Sequence, residues 1–325
     1  MLWLMAVMGL FGQEPKHPNL KKKVEPAYTR AALDNGVQGA VLFHVVVGAK
    51  GKITEMELIS PLGYGLDEEA RKALAKWEFE PGRRNGVPVD WEATIEVNFR
   101  MMGREFDAAA ERRRSDFNAA WATMLRSESK AEAKAVARKK LEELQEQEYA
   151  PALYVVGMWR VAGENGPKDE ARGMEMIGLA AEKRYGPAVY EMALRRMQGL
   201  GLPVDAEKGL DEMRSAAILG AVQAQYYLGG MYEAGQGVAK DLVLARQNFR
   251  LCASQGVEQC QYKLGKLMLE SEDQRDHVRL QAMAWLALAA EHHGPAAELL
   301  DREAARLNAK QLEAVKRLKG QLVRK

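Results

Sequence analysis

The sequence has almost no excess of charge of either sign. Its 325 residues include 47 Lys and Arg against 45 Asp and Glu, which leaves a formal net charge of +2. Proteins that bind the phosphate backbone of nucleic acids carry a strong cationic field. We therefore do not expect nucleic acid to be a partner.

Cysteine and histidine are also scarce. The chain has two cysteines and five histidines, too few cysteines for a fold held by disulfides and, without histidines at ligand spacing, too few for a structural zinc site. His292 and His293 are adjacent on a predicted turn, where both cannot easily face one ion. Because 47% of the residues are hydrophobic, the cores must form by apolar packing.

Sequence signatures of catalysis are missing. The chain has no nucleophile elbow, no phosphate-binding glycine loop and no H-E-x-x-H motif. The glutamates of residues 142–148 lie on the surface of a predicted helix, with no sign of a pocket that would separate their pKa values. We expect no catalytic residue, cofactor or metal ion. A cell-wall-associated enzyme of unrecognised type is the alternative.

Long hydrophobic runs are absent except at the N-terminus. Residues 2–11 (LWLMAVMGLF) form an uncharged run about half as long as a bilayer span. The run resembles the apolar region of a secretory signal peptide, with cleavage after Gly12. Because no Lys or Arg precedes it, a start codon further upstream and an apolar N-terminus that belongs to the fold are the alternatives. We expect a signal peptide at 1–12, a lead-in at 13–20, no membrane span, and a periplasmic or secreted protein.

The pattern of residues 39–99 predicts a small sheet with one helix. Two β-branched runs at 40–47 and 53–59 are joined by a short glycine-containing turn, which is a hairpin signal. Residues 66–77 place their apolar side chains on one stripe of a helix. After the tight-turn pair Asn85-Gly86, residues 91–99 alternate as a last strand. Together these elements predict a two-layer α+β domain.

The order of these motifs resembles the C-terminal domain of TonB, the energy transducer of Gram-negative outer-membrane transport. The most specific matches are Gly39 at the start of the first strand, Leu66-Asp67 at the start of the helix, and the W-x-F-x-P string of residues 77–81. Tyr28 departs from the family, because Thr29 follows it where the family usually has proline. We assign this TonB-like domain to residues 21–101.

The position of the TonB-like domain differs from that in a transducer. A TonB transducer has a membrane helix and a long proline-rich spacer before this domain, whereas here helical sequence follows it. The resemblance therefore implies a binding domain that adds a partner strand at a sheet edge. An accessory role in TonB-type transport is the alternative. Residues 102–149, dense in both charges, predict a helical linker of two helices, the second capped by Ser129.

The second half of the sequence is a repeat array. The tyrosines Tyr154, Tyr190, Tyr226 and Tyr262 are each 36 residues apart, and small residues recur at other columns with the same step. Each unit has the pattern of a helix, a glycine-rich turn, a second helix and a short turn, which predicts an all-α αα-hairpin solenoid.

The period and columns resemble the Sel1-like repeat, a relative of the tetratricopeptide repeat. Four units span residues 150–294, and residues 295–325 predict capping helices, with Asn308 as a cap of the last one. Cys252 and Cys260 have the spacing of disulfide-bonded pairs in cysteine-rich members of this family, so the resemblance implies a disulfide. Two buried unpaired cysteines at small-residue columns are the alternative.

The tetratricopeptide geometry implies a groove along the first helices of the units. The tyrosines, with the residues four positions later, would line it. An equally weighted alternative is that the tyrosines pack between neighbouring helices. The sequence therefore predicts a multidomain, exported protein-protein interaction adaptor, whose partners bind at the sheet edge and in this groove. The groove residues are Tyr154, Met158, Tyr190, Leu194, Tyr226, Tyr262 and Lys266.

Overall fold

A computed structural model describes residues 15–34, 36–101, 108–273 and 275–323. The signal peptide predicted at residues 1–12 lies outside the described residues. The N-terminal domain is a mixed α+β unit, and everything after it is helical. The elements of the N-terminal domain are β1 (Asn19–Lys22), α1 (Arg30–Asp34), β2 (Gly39–Val47), β3 (Ile53–Ser60), α2 (Leu66–Leu74), β4 (Glu78–Glu80), β5 (Arg83–Arg84), β6 (Val87–Pro88) and β7 (Trp91–Phe99).

The main sheet has three antiparallel strands in the order β3-β2-β7. Alternate residues of β2 separate its two faces, because successive side chains of a strand point to opposite sides. Val41, Phe43 and Val45 are fully buried and form one core with Leu66 and Leu74 of α2. The predicted two-layer α+β fold is therefore confirmed.

The opposite face of this sheet is acidic. The register pairs His44 of β2 with Glu57 of β3, and Val46 with both Glu55 of β3 and Glu92 of β7. Residues directly paired in a ladder share a face. Three glutamates therefore surround His44 on the side of the sheet that faces away from α2.

The helical part contains twelve helices in the part of the chain that the structure describes. They stack as successive antiparallel pairs. In chain order they are α3 (Ala108–Leu125), α4 (Ala131–Glu146), α5 (Ala150–Ala162), α6 (Glu170–Glu182), α7 (Gly186–Gln198), α8 (Ala206–Ile218), α9 (Val222–Ala234), α10 (Leu242–Ala253), α11 (Glu258–Leu269), α12 (Asp276–Ala289), α13 (Gly294–Ala304) and α14 (Ala309–Val323).

The charged segment before the repeats is part of the solenoid. Phe117 of α3 and Leu141 and Leu144 of α4 are buried in one cluster with Leu153 and Val156 of α5. This helix pair therefore covers the first repeat, where the sequence predicted a linker. The predicted cap at Ser129 is wrong: α4 begins at Ala131, and its N-cap residue Lys130 makes no side-chain capping bond.

Small residues allow the paired helices of the repeats to approach closely. A Cβ atom added at Gly157 would lie 2.9 Å from the carbonyl oxygen of Gly173 on α6, and one added at Gly229 would lie 2.6 Å from the ring of Phe249 on α10. Contacts this short force one helix to move. The small-residue column is therefore a packing requirement, as the repeat pattern indicated.

The second helix of each of the first three units is capped in the same way. Asp169, Asp205 and Asp241, 36 residues apart, are the N-cap residues of α6, α8 and α10, and each side chain accepts a hydrogen bond from a backbone N–H of the first turn. The corresponding residue of the fourth unit is His277. It lies within α12, whose N-cap residue Arg275 forms no side-chain capping bond.

The last two helices cover the end of the array. Met283, Leu286 and Ala289 of α12 are buried in one cluster with Ala296 of α13 and Val315 of α14. Asn308 accepts a hydrogen bond from the Gln311 backbone N–H at 2.9 Å, and the Gln311 side chain accepts one from the Asn308 N–H at 3.0 Å. This reciprocal capping is the one predicted for Asn308. No helix of the described residues is long and apolar enough to cross a membrane.

The acidic face of the sheet packs against basic residues of the solenoid. Arg250 of α10 lies 3.7 Å from a carboxylate oxygen of Glu57, and Arg275 lies 3.4 Å from one of Glu55. His277 Nε2 is 3.5 Å from the second oxygen of Glu57. Burial lowers the pKa of Arg250, and the Glu57 carboxylate opposes that shift. Glu57 is therefore the main counter-charge of a buried guanidinium.

The two domains also meet at a repeat turn. Residues 148, 184, 220 and 256, again 36 apart, all have positive φ. At Gly220 (φ 82°), an added Cβ would lie 2.7 Å from the ring of Tyr64 in the N-terminal domain. The contact with Tyr64 therefore leaves no room for a side chain at Gly220.

Glu57→Gln tests the charge pairing between the domains. The amide keeps the shape of the side chain but leaves Arg250 without its anion, so we expect a loss of about 1–3 kcal/mol in the free energy of unfolding. Chemical denaturation measures it. The matched control is Glu25→Gln, whose carboxylate makes an exposed pair with Lys23 and is worth roughly 0–1 kcal/mol. Equal losses in both variants would contradict the pairing.

Candidate binding surfaces

The four tyrosines of the predicted groove lie on the first helices of the four units, α5, α7, α9 and α11. Tyr154 contacts the ring of Tyr185 at 5.7 Å between centroids, and Tyr226 contacts Phe249 at 6.1 Å. Tyr262 stacks on His293 at 4.7 Å. Three of the four tyrosines therefore have an aromatic neighbour from a different helix or turn of the solenoid.

Burial differs along this column. Burial raises the pKa of Tyr154 to about 12 and also raises that of Tyr190. Tyr226, in contrast, is 42% exposed. The first two tyrosines therefore contribute mainly to packing, whereas Tyr226 is partly exposed to solvent.

The groove residues do not share one continuous channel. Tyr226 lines a cavity of about 570 Å³ with Met197, Tyr227 and Lys263. Tyr262 and Lys266 line a separate cavity of about 620 Å³, which is closed on one side by α13. Met158 and Leu194 are half-buried on α5 and α7. The structure thus places Tyr226 in one depression, and Tyr262 and Lys266 in another.

The two cysteines lie on opposite sides of one repeat turn. Cys252 of α10 and Cys260 of α11 are fully buried, and their sulfur atoms are bonded at 2.04 Å with the Cα atoms 5.8 Å apart. The bond joins the second helix of the third unit to the first helix of the fourth. It lies two residues from Arg250, so it adds a covalent link beside the helix that contacts the N-terminal domain.

A cleft lies between the sheet of the N-terminal domain and the solenoid. It has a volume of about 760 Å³, and the consecutive residues 55–58 of β3 form one wall. Ile218, Val243 and Arg246 are part of the opposite wall. Ile218 and Val243 are 56% and 53% exposed. The cleft therefore combines a strand edge with an exposed apolar surface.

The strand that faces this cleft is the edge of the sheet. β3 pairs with β2 on one side and with no other strand of the described chain on the other. The carbonyl of Met56 accepts a hydrogen bond from Arg71 Nη1 at 3.4 Å, so it points away from β2. Since the N–H and C=O of one residue of an antiparallel strand point to the same side, the Met56 N–H points into the cleft as well.

A group of potential metal ligands lies beside the cleft. His44 of β2 and His277 of α12 have stacked rings, with centroids 4.3 Å apart and planes 22° apart. Each of His44, His277 and Glu92 has a ligand atom within 4.8 Å of those of the other two. Burial lowers the pKa of His44, and the neighbouring His277 lowers it further.

The sequence did not predict this cluster, because its members come from two domains. One signal was available in the repeat alignment: His277 occupies the column where the other three units have aspartate. A substitution of this kind in a repeat marks a position that has lost its ordinary role in the fold.

Comparisons with known proteins agree with the two parts of this architecture. Residues 24–101 match the family model of the Gram-negative bacterial TonB protein C-terminal. Residues 150–185, 186–220, 222–257 and 258–293 match the Sel1 repeat model.

The similar curated proteins match only the N-terminal domain. Protein TonB of Vibrio cholerae is 33% identical over 82 residues, which are 25% of this chain and 34% of that protein. Protein tonB2 of Pseudomonas aeruginosa is 31% identical over 77 residues, which are 23% and 28% of the two chains. The matched region thus spans about a third of the length of these relatives.

Two solved structures align with part of this chain. A Sel1 repeat protein from Oxalobacter formigenes aligns with a TM-score of 0.46 and 26% identity, over 51% of this chain and 48% of that one. A protective antigen of uropathogenic Escherichia coli with an SLR fold aligns with a TM-score of 0.46 and 22% identity, over 66% and 46%. From the two family matches, this chain carries a TonB C-terminal domain followed by four Sel1 repeats.

Proposed function

We propose that the protein is an exported adaptor that captures an extended segment of a partner protein at the edge of β3. The observation that carries this proposal is the unpaired strand edge inside the cleft between the domains. Both matched families are interaction domains, which supports a scaffold role. The proposal assigns the protein no catalytic step.

Strand addition accounts for the backbone chemistry of the cleft. An added strand takes its affinity from main-chain hydrogen bonds to the sheet edge and its specificity from alternate side chains. The outward-pointing backbone of Met56 supplies such bonds. In the unbound protein, Arg71 donates a hydrogen bond to the Met56 carbonyl and lies 5.4 Å from the ring of Phe43. This side chain must move when a partner strand pairs with Met56.

The walls of the cleft define the side chains that such a segment would carry. Ile218 and Val243 present apolar surface, which suits aliphatic side chains. Arg246 has no carboxylate partner among the described residues, unlike Arg250 and Arg275. We therefore propose an extended segment with aliphatic residues and one acidic residue that reaches Arg246.

The apolar N-terminal run and the similarity of residues 24–101 to TonB proteins support the proposed export. The periplasm is oxidising, so the Cys252–Cys260 bond would persist there. An accessory role in TonB-type outer-membrane transport is the second candidate, and the similarity of residues 24–101 to TonB proteins favours it.

Cell fractionation followed by intact mass measurement without reductant tests the export proposal. We expect a periplasmic species shortened by twelve residues and roughly 2 Da lighter than the same chain after reduction, because disulfide formation removes two hydrogens. The shortened mass then reports export without an anchor, and the difference of roughly 2 Da reports the disulfide. A full-length, reduced protein in the cytoplasm would contradict the compartment on which the adaptor proposal rests.

Met56→Pro tests the strand edge. Proline removes the N–H that points into the cleft but is tolerated on an edge strand, and loss of one backbone hydrogen bond corresponds to about a tenfold weaker affinity. Met56→Ala is the matched control, because it removes the same side chain and keeps the N–H. Fluorescence anisotropy measures the binding of labelled peptides from periplasm-facing segments of outer-membrane receptors.

Each outcome of this titration distinguishes the candidates. Binding that Met56→Ala retains and Met56→Pro loses supports strand addition and the accessory role in transport. If receptor peptides fail to bind, the same two variants are compared with randomised extended peptides of the aliphatic-acidic type. Equal binding of any peptide by both variants would reject strand addition at β3.

We also propose a second, smaller contact surface around Tyr226. Tyr190→Ala and Tyr226→Ala separate packing from binding, because Tyr190 packs against the repeat core while Tyr226 is exposed. We expect Tyr190→Ala to lose about 1–3 kcal/mol of unfolding free energy and Tyr226→Ala less than about 1 kcal/mol. Thermal unfolding and crosslinking to a co-purified partner provide the measurements. Loss of stability in both variants, with crosslinking unchanged, would leave the tyrosines a packing role only.

A further inference from the structure

Three side chains from two domains converge where the sheet meets the solenoid. His44 comes from the central strand, Glu92 from β7 and His277 from the first turn of α12. His44 Nε2 is 3.9 Å from Glu92 Oε2, and the ligand atoms of all three residues lie within 4.8 Å of one another. This convergence does not follow from either fold alone, because neither domain supplies both imidazoles.

The local environment of His277 distinguishes it from an ordinary interface residue. Its Nε2 atom is buried and has no hydrogen-bond partner, although Glu57 lies 3.5 Å away. His277 also replaces the aspartate that caps the second helix in the other three units. His277 therefore does not cap its helix as the aspartates do. Its buried Nε2 atom lacks a hydrogen-bond partner, which destabilises the folded protein unless a ligand binds that atom.

The charges around the cluster leave room for a cation. Arg250 and Arg275 are each matched by a glutamate, Glu57 and Glu55. Glu92 has no cationic partner in the described parts of the chain other than His44. Its side chain is 66% exposed, so solvent reaches the cluster from that side. A cation can enter past Glu92 and be neutralised by it.

We propose that His44, Glu92 and His277 form a binding site for a divalent transition-metal ion, most favourably Zn²⁺, that joins the TonB-like domain to the fourth repeat. Two imidazoles and one carboxylate are a ligand set that zinc accepts with a fourth position open. Water or the neighbouring Glu57 would fill that position.

Metal binding requires a small inward movement of the ligands. Zn²⁺ takes His nitrogen at about 2.0–2.1 Å, which places tetrahedral ligand atoms roughly 3.3 Å apart. The present separations of up to 4.8 Å close when the exposed Glu92 side chain changes rotamer and the two stacked rings turn their nitrogen atoms toward one point. Because one ligand lies on α12, the ion would link the two domains directly.

Isothermal titration of ZnCl₂ into the full-length, untagged protein after EDTA treatment tests the proposal. We expect one equivalent to bind. His44→Gln and His277→Gln should each weaken the affinity at least tenfold, and Glu92→Gln should weaken it to a smaller extent. His292→Gln is the matched control, because His292 is exposed and lies in another turn. It should bind like the wild-type protein.

A second readout separates loss of the site from loss of the fold. Zn²⁺ should raise the Tm of the wild-type protein and of His292→Gln but not of His277→Gln, whose circular dichroism spectrum should match that of the wild type. Co²⁺ substitution should give the visible absorption of a four-coordinate site. Absence of Zn²⁺ binding in the wild-type protein, or binding by His44→Gln and His277→Gln as tight as that of the wild-type protein, would overturn the proposal.

Discussion

Charge complementarity between the outer face of the sheet and the solenoid is the interaction on which the arrangement of the molecule depends. Two glutamates of β3 meet two arginines of the third and fourth units. A glutamate left on this face without a cation, or Arg250 left buried without an anion, would each destabilise the assembly. The pairing therefore helps to hold β3 beside α10, and the cleft lies between these two elements.

The contacts between the domains use positions where the repeats depart from their own pattern. The fourth unit has lost the glycine-rich turn of the second and third units, and the segment in its place carries Asp273, Arg275 and His277. Arg275 forms a close ion pair with Asp273, and this hydrogen bonding lowers the pKa of Asp273 to about 2. The carboxylate thereby stays charged and orients the arginine toward Glu55. The irregular segment of the fourth unit therefore contacts the N-terminal domain.

The sequence predicted most of the local structure because the signals that encode it are local. Alternation defined β2, β3 and β7, and a 36-residue step defined the helix pairs together with their tyrosine and small-residue columns. The cap at Asn308 was readable for the same reason, since its partner Gln311 is three residues away. At Ser129 the same capping pattern failed, because α4 begins one residue later than that pattern requires.

What the sequence could not provide was the pairing of distant surfaces. No local sequence pattern distinguishes Glu57 from other polar strand residues or Arg250 from other basic residues of the repeat helices. Only the folded structure shows that the two side chains lie 3.7 Å apart. The same holds for the charged helices α3 and α4, whose few apolar residues are enough to cover the first repeat.

The strand edge, the cleft and the histidine cluster meet at the paired strands β2 and β3, so events at one are linked to the others. Residues 55–58 form the cleft wall, and His44 pairs directly with Glu57 across the ladder. Any ligand that binds only the docked arrangement stabilises it, and by linkage raises the affinity of every other ligand that needs the same arrangement. A cation held by His44 and His277 would hold β2 against α12, and thereby keep the edge of β3 facing Ile218 and Val243. An extended segment bound between those walls would in turn favour the cation. The coupling is reciprocal because both ligands select one relative position of the two domains.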